Sequence, residues 1–439
     1  MSIRQAAGIE LRVLIAAEHS SLAFGGEAAL PLHYFRVLRA RGVEAWLVTH
    51  ARTRDELKTF FSQDGDRIVY VEDLLLHRLI WRAGRNLPGR LGSFTTDYLL
   101  RLLTQILQWG RIRRLVREKQ ISVVHQPIPV SPKEPSLLFC LGAPVIIGPM
   151  NGGMDFPPAF RRMQGRIEGS ILAFGRQVAQ VLNFLIPGKR SAALLLVANE
   201  RTRNALPFGI GTPVRTLVEN GVDLSLWRPP TAGASPLGTR HTRYVFVGRL
   251  IAWKAVDLLL EAFKIAATQA PMSLTIIGDG PELRPLAALA SRLGLQAETA
   301  GQAGKVEFTG WLSQAVCATK LAQADALVLP SLRECGGAVV LEAMAMGIPA
   351  IATDWGGPAD YLDASCGILV PPSGRGGFVA GFADAMARLA RQPDERAAMG
   401  RAGREKMVRE FDWEVKVDRM MQIYEEIAAA ARTSGGKVR

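Results

Sequence analysis

Residues 324–354 read ADALVLPSLRECGGAVVLEAMAMGIPAIATD. The opening ADALVLPS is a short continuous apolar run of strand length, and it breaks at a polar loop, SLREC. GGAVVLEAMAMG follows with helical composition and stops at Gly347, a residue type that closes helices in the left-handed conformation. IPAIATD is then a second buried strand. Strand, loop, helix and strand in this span make the βαβ unit of a parallel sheet.

The alternation extends in both directions. RYVFVGRL (243–250), MSLTIIGDG (272–280), KVEFTGW (305–311) and GILVPP (367–372) read as strands with helical segments between nearly every pair. Residues 243–410 are therefore expected to be a doubly wound α/β domain. Upstream, LRVLIAAE (11–18), a Gly-containing loop, an amphipathic helix and VEAWLVTH (43–50) repeat the pattern. Further strands are expected at ISVVHQP (121–127), PVIIGPM (144–150) and AALLLVAN (192–199), so residues 1–216 form a second Rossmann-like domain. Residues 217–242 hold an Asn220-Gly221 turn, a Pro pair and a Gly/Ser/Thr/Pro-rich stretch, the composition of a linker. Residues 411–439 read as a closing helix returning to the N-terminal domain. Two such domains leave a cleft, with ligands expected at the carboxyl ends of the strands.

A chain of 439 residues exceeds the usual size of one core, in keeping with two domains. Apolar runs are too short or too broken by Gly and Pro to span a bilayer, and the N-terminal one, ending at Glu18, reads as a first strand and not a signal peptide. Cys140, Cys317, Cys335 and Cys366 have no paired spacing for zinc, which points to free thiols in a cytoplasmic protein. The net charge of +13 is divided unevenly: residues 1–215 hold 29 Lys/Arg against 16 Asp/Glu, and the remainder holds 24 of each. The first domain is the one expected to meet an anionic partner.

Two groups of residues carry chemistry. Strand 243–248 ends at Gly248-Arg249, and Lys254 follows just before a helix. Glycine allows close approach to the backbone, and an Arg fork with a Lys point charge suits a diphosphate. A solvated pair of surface cations is the plainer alternative. Glu334 and Glu342 stand eight residues apart around Gly336-Gly337, where a buried unpaired carboxylate would be costly. They suit an extended ligand, with Glu334 on sugar hydroxyls, Glu342 on ribose hydroxyls and the glycine-turn N–H groups toward phosphates. A capping glutamate plus a helix glutamate paired elsewhere is the alternative. There is no H-E-x-x-H or G-x-S-x-G motif, and no metal is expected.

GRL…K followed by E-x7-E within RECGGAVVLEAMAMGIPAIATDWGG closely resembles the family 4 retaining glycosyltransferases of GT-B fold. GDGPELRPL, VEFTGWLS, NGVD…WRP and HSSLAFGGEAALPLHYFRVLRARG add to the resemblance, which covers nearly the whole chain. It implies a nucleoside-diphosphate sugar as donor substrate and no cofactor. Arg249 and Lys254 would bind the diphosphate, Glu334 the donor sugar and Glu342 the ribose. Gly25 and Gly26 would approach the phosphates from the N-terminal domain, Gly278 and Gly280 of IIGDG would lie near the nucleobase, and His125 would face the reacting sugar. This sequence departs from the family's common pattern in having Ala255 after the lysine, where a narrower phosphate loop is expected, and Cys335 after Glu334. Cys335 reads as a packing residue.

The resemblance implies transfer of a hexose with retained configuration, and the basic segments suggest a lipid-linked or other glycan acceptor. Between residues 76 and 120, ten Lys/Arg stand against Asp97 and Glu118, amid leucines and Trp81 and Trp109; a second basic run covers 160–190. Helices of this composition fit an anionic membrane surface, placing the protein peripherally on the inner face of the cell membrane. Packed helices with Arg-rich outer faces are the alternative. No nucleic-acid reader motif is present. A GT-B epimerase or phosphorylase, or a non-catalytic GT-B scaffold at the membrane, are the rival functions.

Overall fold

The computed structural model describes residues 10–84, 96, 98–163, 165–229, 241–298 and 302–435. Residues 230–240 of the expected linker, and residues 85–95 and 97 of the basic arm, lie outside them. The chain divides into two units. The first comprises residues 1–153, 167–219 and 416–439, and the second residues 154–166 and 220–415. No feature of the sequence marks 154–166 as part of the second unit.

The first unit holds one parallel sheet of seven strands: β1 (Arg12–Ala16), β2 (Glu44–His50), β3 (Ile68–Val71), β4 (Val123–Gln126), β5 (Val145–Met150), β6 (Leu194–Val197) and β7 (Val214–Thr216). Their order is β3-β2-β1-β4-β5-β6-β7. The central strands are apolar on both faces and almost wholly buried, as a parallel sheet covered on both sides requires. Helices α1 (Gly26–Ala40), α2 (Leu75–Gly84), α3 (Tyr98–Glu118) and α4 (Arg166–Leu185) connect its strands. β3 and β7, which the sequence reading missed, are the two edge strands. They are short and partly exposed: β3 is an apolar run of only four residues, and β7 is polar at two of its three positions.

The second unit holds a parallel six-stranded sheet: β8 (Thr242–Val247), β9 (Met272–Ile277), β10 (Val306–Gly310), β11 (Ala326–Leu329), β12 (Ala350–Thr353) and β13 (Gly367–Val370). The order is β10-β9-β8-β11-β12-β13, so the direction of winding reverses between β8 and β11. Such a switch point is where loops diverge and a crevice opens at the carboxyl ends of the strands. Helix α5 (Val256–Ala266) follows β8 and helix α6 (Ala338–Ala345) follows β11. The C-terminal helix α7 (Trp413–Gly435) begins in the second unit, and from Lys416 it belongs to the first.

Candidate active site

The loops leaving β8 and β11 meet at the switch point. The β8 loop ends in a 3-10 turn, Ala252–Lys254, and the β11 loop runs through Glu334 into α6. Leu332 N–H donates to Trp253 O at 2.9 Å, which stitches the loops together. Across that join Lys254 Nζ pairs with Glu334 Oε2. Each side chain is 15% exposed, so the pair is sheltered from screening yet open to a ligand.

A third loop fixes the first. Gly248 N–H donates to Ile277 O at 3.0 Å and Leu250 N–H to Asp279 O at 2.9 Å. The backbones are so close that a Cβ on Gly278 would lie 2.0 Å from Gly248 O, and one on Gly280 2.2 Å from Leu250 O. The φ angles there, +143° and +157°, also favour glycine. These two glycines form a backbone clamp that holds the Arg249 loop. Lys254 lies along Gly248, where an added Cβ would sit 3.8 Å from its Cε.

Glu334 is held from behind. Gly357 N–H donates to its carbonyl at 2.8 Å, and a Cβ on Gly356 would come within 2.3 Å of the same oxygen. The sequence quoted this WGG pair without assigning it a role; two adjacent glycines after a buried strand were the available signal. Gly336 precedes Gly337, the N-cap of α6 at φ +72°, and the first N–H groups of that helix have no partner within it. Glu342 lies in the second turn of α6. Its residue is only partly covered, yet burial pushes its carboxyl up to about 7, and it has no side-chain hydrogen bond among the described residues. Arg249 is exposed and makes no ion pair among the described residues. Ala255 is fully buried in the left-handed conformation (φ 51°, ψ 37°), a strain of roughly 1 kcal/mol for a residue with a Cβ.

The structure thus brings Gly248, Arg249 and Lys254 into one loop system with Gly278 and Gly280, and Glu334, Gly336, Gly337 and Glu342 into another, joined by the ion pair. Gly25 and Gly26 lie in the first unit, at the N-terminal turn of α1, with open space around both.

His125 requires correction. It is 0% exposed, its Nε2 lies 2.6 Å from Gly148 O, and its Nδ1 lies 2.6 Å from the Tyr424 hydroxyl of α7. Both ring nitrogens are engaged inside the first unit, and burial pushes its pKa down to about 4. It ties α7 to the sheet and does not face a sugar.

Among the described residues, His50, Asp73 and His77 are grouped closely enough to invite a metal. Backbone N–H groups of Arg52 and Leu74 donate to Nδ1 of His50 and His77 at 3.2 and 3.0 Å. That places the ring proton on Nε2 in both rings, where a cation would need a lone pair.

The two units, each a doubly wound parallel sheet, define the GT-B class of fold. The solved structure of sucrose-phosphate synthase from Thermosynechococcus elongatus matches 95% of this chain and 100% of its own, with TM-score 0.65 and 18% identity. Anabaena Alr3699/HepE in complex with UDP matches 95% and 100%, with TM-score 0.64 and 16% identity. At these identities the likeness speaks to fold. Residues 241–392, which hold all four charged site residues, match the family described as Glycosyl transferases group 1. Among curated relatives, glycogen synthase of Mycobacterium tuberculosis is 29% identical over 60% of this chain and 60% of its own length. D-inositol 3-phosphate glycosyltransferase of Saccharomonospora viridis is 33% identical over 50% of this chain and 51% of its own. The chain thus spans between half and two thirds of the length of the curated relatives it matches.

Proposed function

We propose that this chain moves a hexose from a nucleoside-diphosphate sugar to an acceptor hydroxyl, with retained anomeric configuration and without a metal ion. The observation that carries the reading is the sheltered Lys254–Glu334 pair at the switch point, with Arg249 open beside it and Glu342 unpaired on the following helix. Arg249 and Lys254 supply two positive charges to a diphosphate and stabilise the negative charge that grows on it as the glycosidic bond breaks. Glu334, turned toward Lys254, accepts hydrogen bonds from the donor sugar's hydroxyls. Glu342 accepts from ribose, and the free N–H groups at the start of α6 point to phosphate oxygen.

In the reaction the acceptor oxygen bonds to C1 on the face that the diphosphate leaves. The C1–O bond to phosphate breaks, and a departing phosphate oxygen takes the acceptor's proton. This route requires no separate protein base. The basic first half supports a lipid-linked or surface-glycan acceptor at the cytoplasmic face of the membrane.

The test is a panel of radiolabelled nucleotide sugars incubated with membrane extracts. Wild type should yield acceptor-dependent product with one donor, and Glu334→Ala should yield none while keeping its melting temperature. Turnover by Glu334→Ala, or release of only free sugar or epimer by wild type, would overturn the assignment.

A further inference from the structure

The first unit exposes more large apolar side chains than one solvated surface ordinarily carries. Leu75 and Leu79 on α2 are 77% and 60% exposed; Phe174, Val181 and Phe184 on α4 are 71%, 57% and 71% exposed; and Phe208 is 90% exposed. These positions are organised. On α2 the exposed leucines are four residues apart, while His77 faces inward to Thr104 of α3, 3.3 Å away. On α4 residues 174 and 181 share a stripe at helical spacing, while Asn183, on the opposite side, is buried and donates to Lys133 O at 2.7 Å.

Helix α2 packs on α3 through His77, and α3 and α4 border the same stretch of chain. Arg101 of α3 pairs with Glu134, Gln105 of α3 accepts from Leu137 N–H at 3.0 Å, and Asn183 of α4 holds Lys133. Phe208 joins from the other side, its N–H donating to Gln180 of α4 at 3.2 Å. The inward face of each helix is thus satisfied by the protein, while Leu75, Leu79, Phe174, Val181 and Phe184 stay largely exposed on the outward faces, with the Arg190 guanidinium lying over the Phe184 ring.

Charge identifies what would cover that face. Residues 74–84 and 173–190 contain no acidic side chain, and they present Arg78, Arg82, Arg176 and Arg190 at the surface. No described helix is long and apolar enough to cross a membrane. Amphipathic helices with apolar side chains flanked by arginine lie in the plane of an anionic bilayer, with the apolar side chains in the acyl boundary and the cations at the headgroups. We infer that the outward faces of α2 and α4, together with Phe208, form a membrane-docking surface for anionic phospholipid. This goes beyond the donor-site chemistry, which lies in the other unit, and does not depend on it.

The experiment is flotation with vesicles of phosphatidylcholine alone and of phosphatidylcholine with phosphatidylglycerol. The full-length protein should float with the anionic vesicles, less so at high salt, and poorly with the neutral ones. Phe174→Ser with Phe184→Ser should lower the partition coefficient at least about tenfold. Arg78→Gln with Arg82→Gln should lower it by about thirtyfold, from roughly fivefold per cation. Both variants alter exposed positions, so melting temperature and nucleoside diphosphate binding should stay at wild-type values. Unchanged flotation of both variants would overturn the inference. So would a wild-type protein that ignores anionic vesicles, including one that covers this face by forming a dimer in light scattering. A wild-type protein that floats with anionic vesicles but binds no nucleoside diphosphate would count against the donor site and leave the docking surface standing.

Discussion

Removing Lys254 tests the ion pair at the centre of the site. Lys254 and Glu334 are each 15% exposed and in contact, so a ligand a few ångströms away feels a nearly neutral pair. Lys254→Ala changes the local charge by one unit and leaves Glu334 facing the diphosphate. A unit charge at about 4 Å is worth roughly 4 kcal/mol at an effective dielectric of about 20. Partial exposure reduces this to about 2–3 kcal/mol, a loss of about 30- to 150-fold in affinity. Lys254→Ala with Glu334→Gln restores neutrality and should lose only a charge-assisted hydrogen bond, about 1–2 kcal/mol or roughly five- to thirtyfold. Glu334→Gln alone should bind diphosphate more tightly than wild type while failing to transfer sugar. Calorimetry of wild type and the three variants with UDP, GDP and ADP gives the comparison, with melting temperatures as the control for folding. The reasoning fails if the double variant binds as weakly as Lys254→Ala, or if Glu334→Gln weakens diphosphate binding.

Other outcomes follow from the same geometry. Gly278→Ala drives a methyl group to 2.0 Å from Gly248 O, so thermal unfolding should show a loss of about 3 kcal/mol, accompanied by loss of nucleotide binding. Ala255→Gly should relieve left-handed strain and raise stability by about 0.5–1 kcal/mol in denaturant titration; a drop would show that the strain argument is wrong. Because burial raises Glu342 to about 7, it becomes charged as pH rises through neutrality, so affinity for a ribose-bearing ligand should increase several-fold between pH 6 and 8.5, and Glu342→Gln should flatten that profile. His125 is depressed to about 4, so the native state binds fewer protons than the unfolded state between about pH 4 and 6.5. Its stabilising contribution is complete above that window and is lost as the pH falls through it. His125→Phe should flatten this acid sensitivity and leave nucleotide affinity unchanged.

Most strands were legible because parallel strands buried on both faces must be continuously apolar, as RVLIA, LLLV and ALVL are. The edge strands escaped notice for different reasons: IVYV is apolar but only four residues long, whereas VRT is polar because an edge relaxes that demand. Arg249, Lys254 and Glu334 could be picked out from spacing because they fall in loops at strand ends, and Glu342 because it follows Glu334 at a fixed interval on the next helix. What spacing could not convey was backbone proximity. Gly278, Gly280 and Gly356 are glycines because another segment's carbonyl oxygen occupies the place of their side chain, and that segment is distant in sequence. His125 misled for a related reason. A histidine ending a strand looks like a ligand-facing group until Tyr424, 299 residues away, is seen bonded to it.

The most direct test of the central claim is a crystal structure of the protein grown with the nucleotide sugar selected by the activity screen. The diphosphate should lie within hydrogen-bond distance of Arg249 and Lys254, with the hexose hydroxyls on Glu334 and the ribose on Glu342. Density for the nucleotide at any other place, with those four side chains untouched, would contradict it.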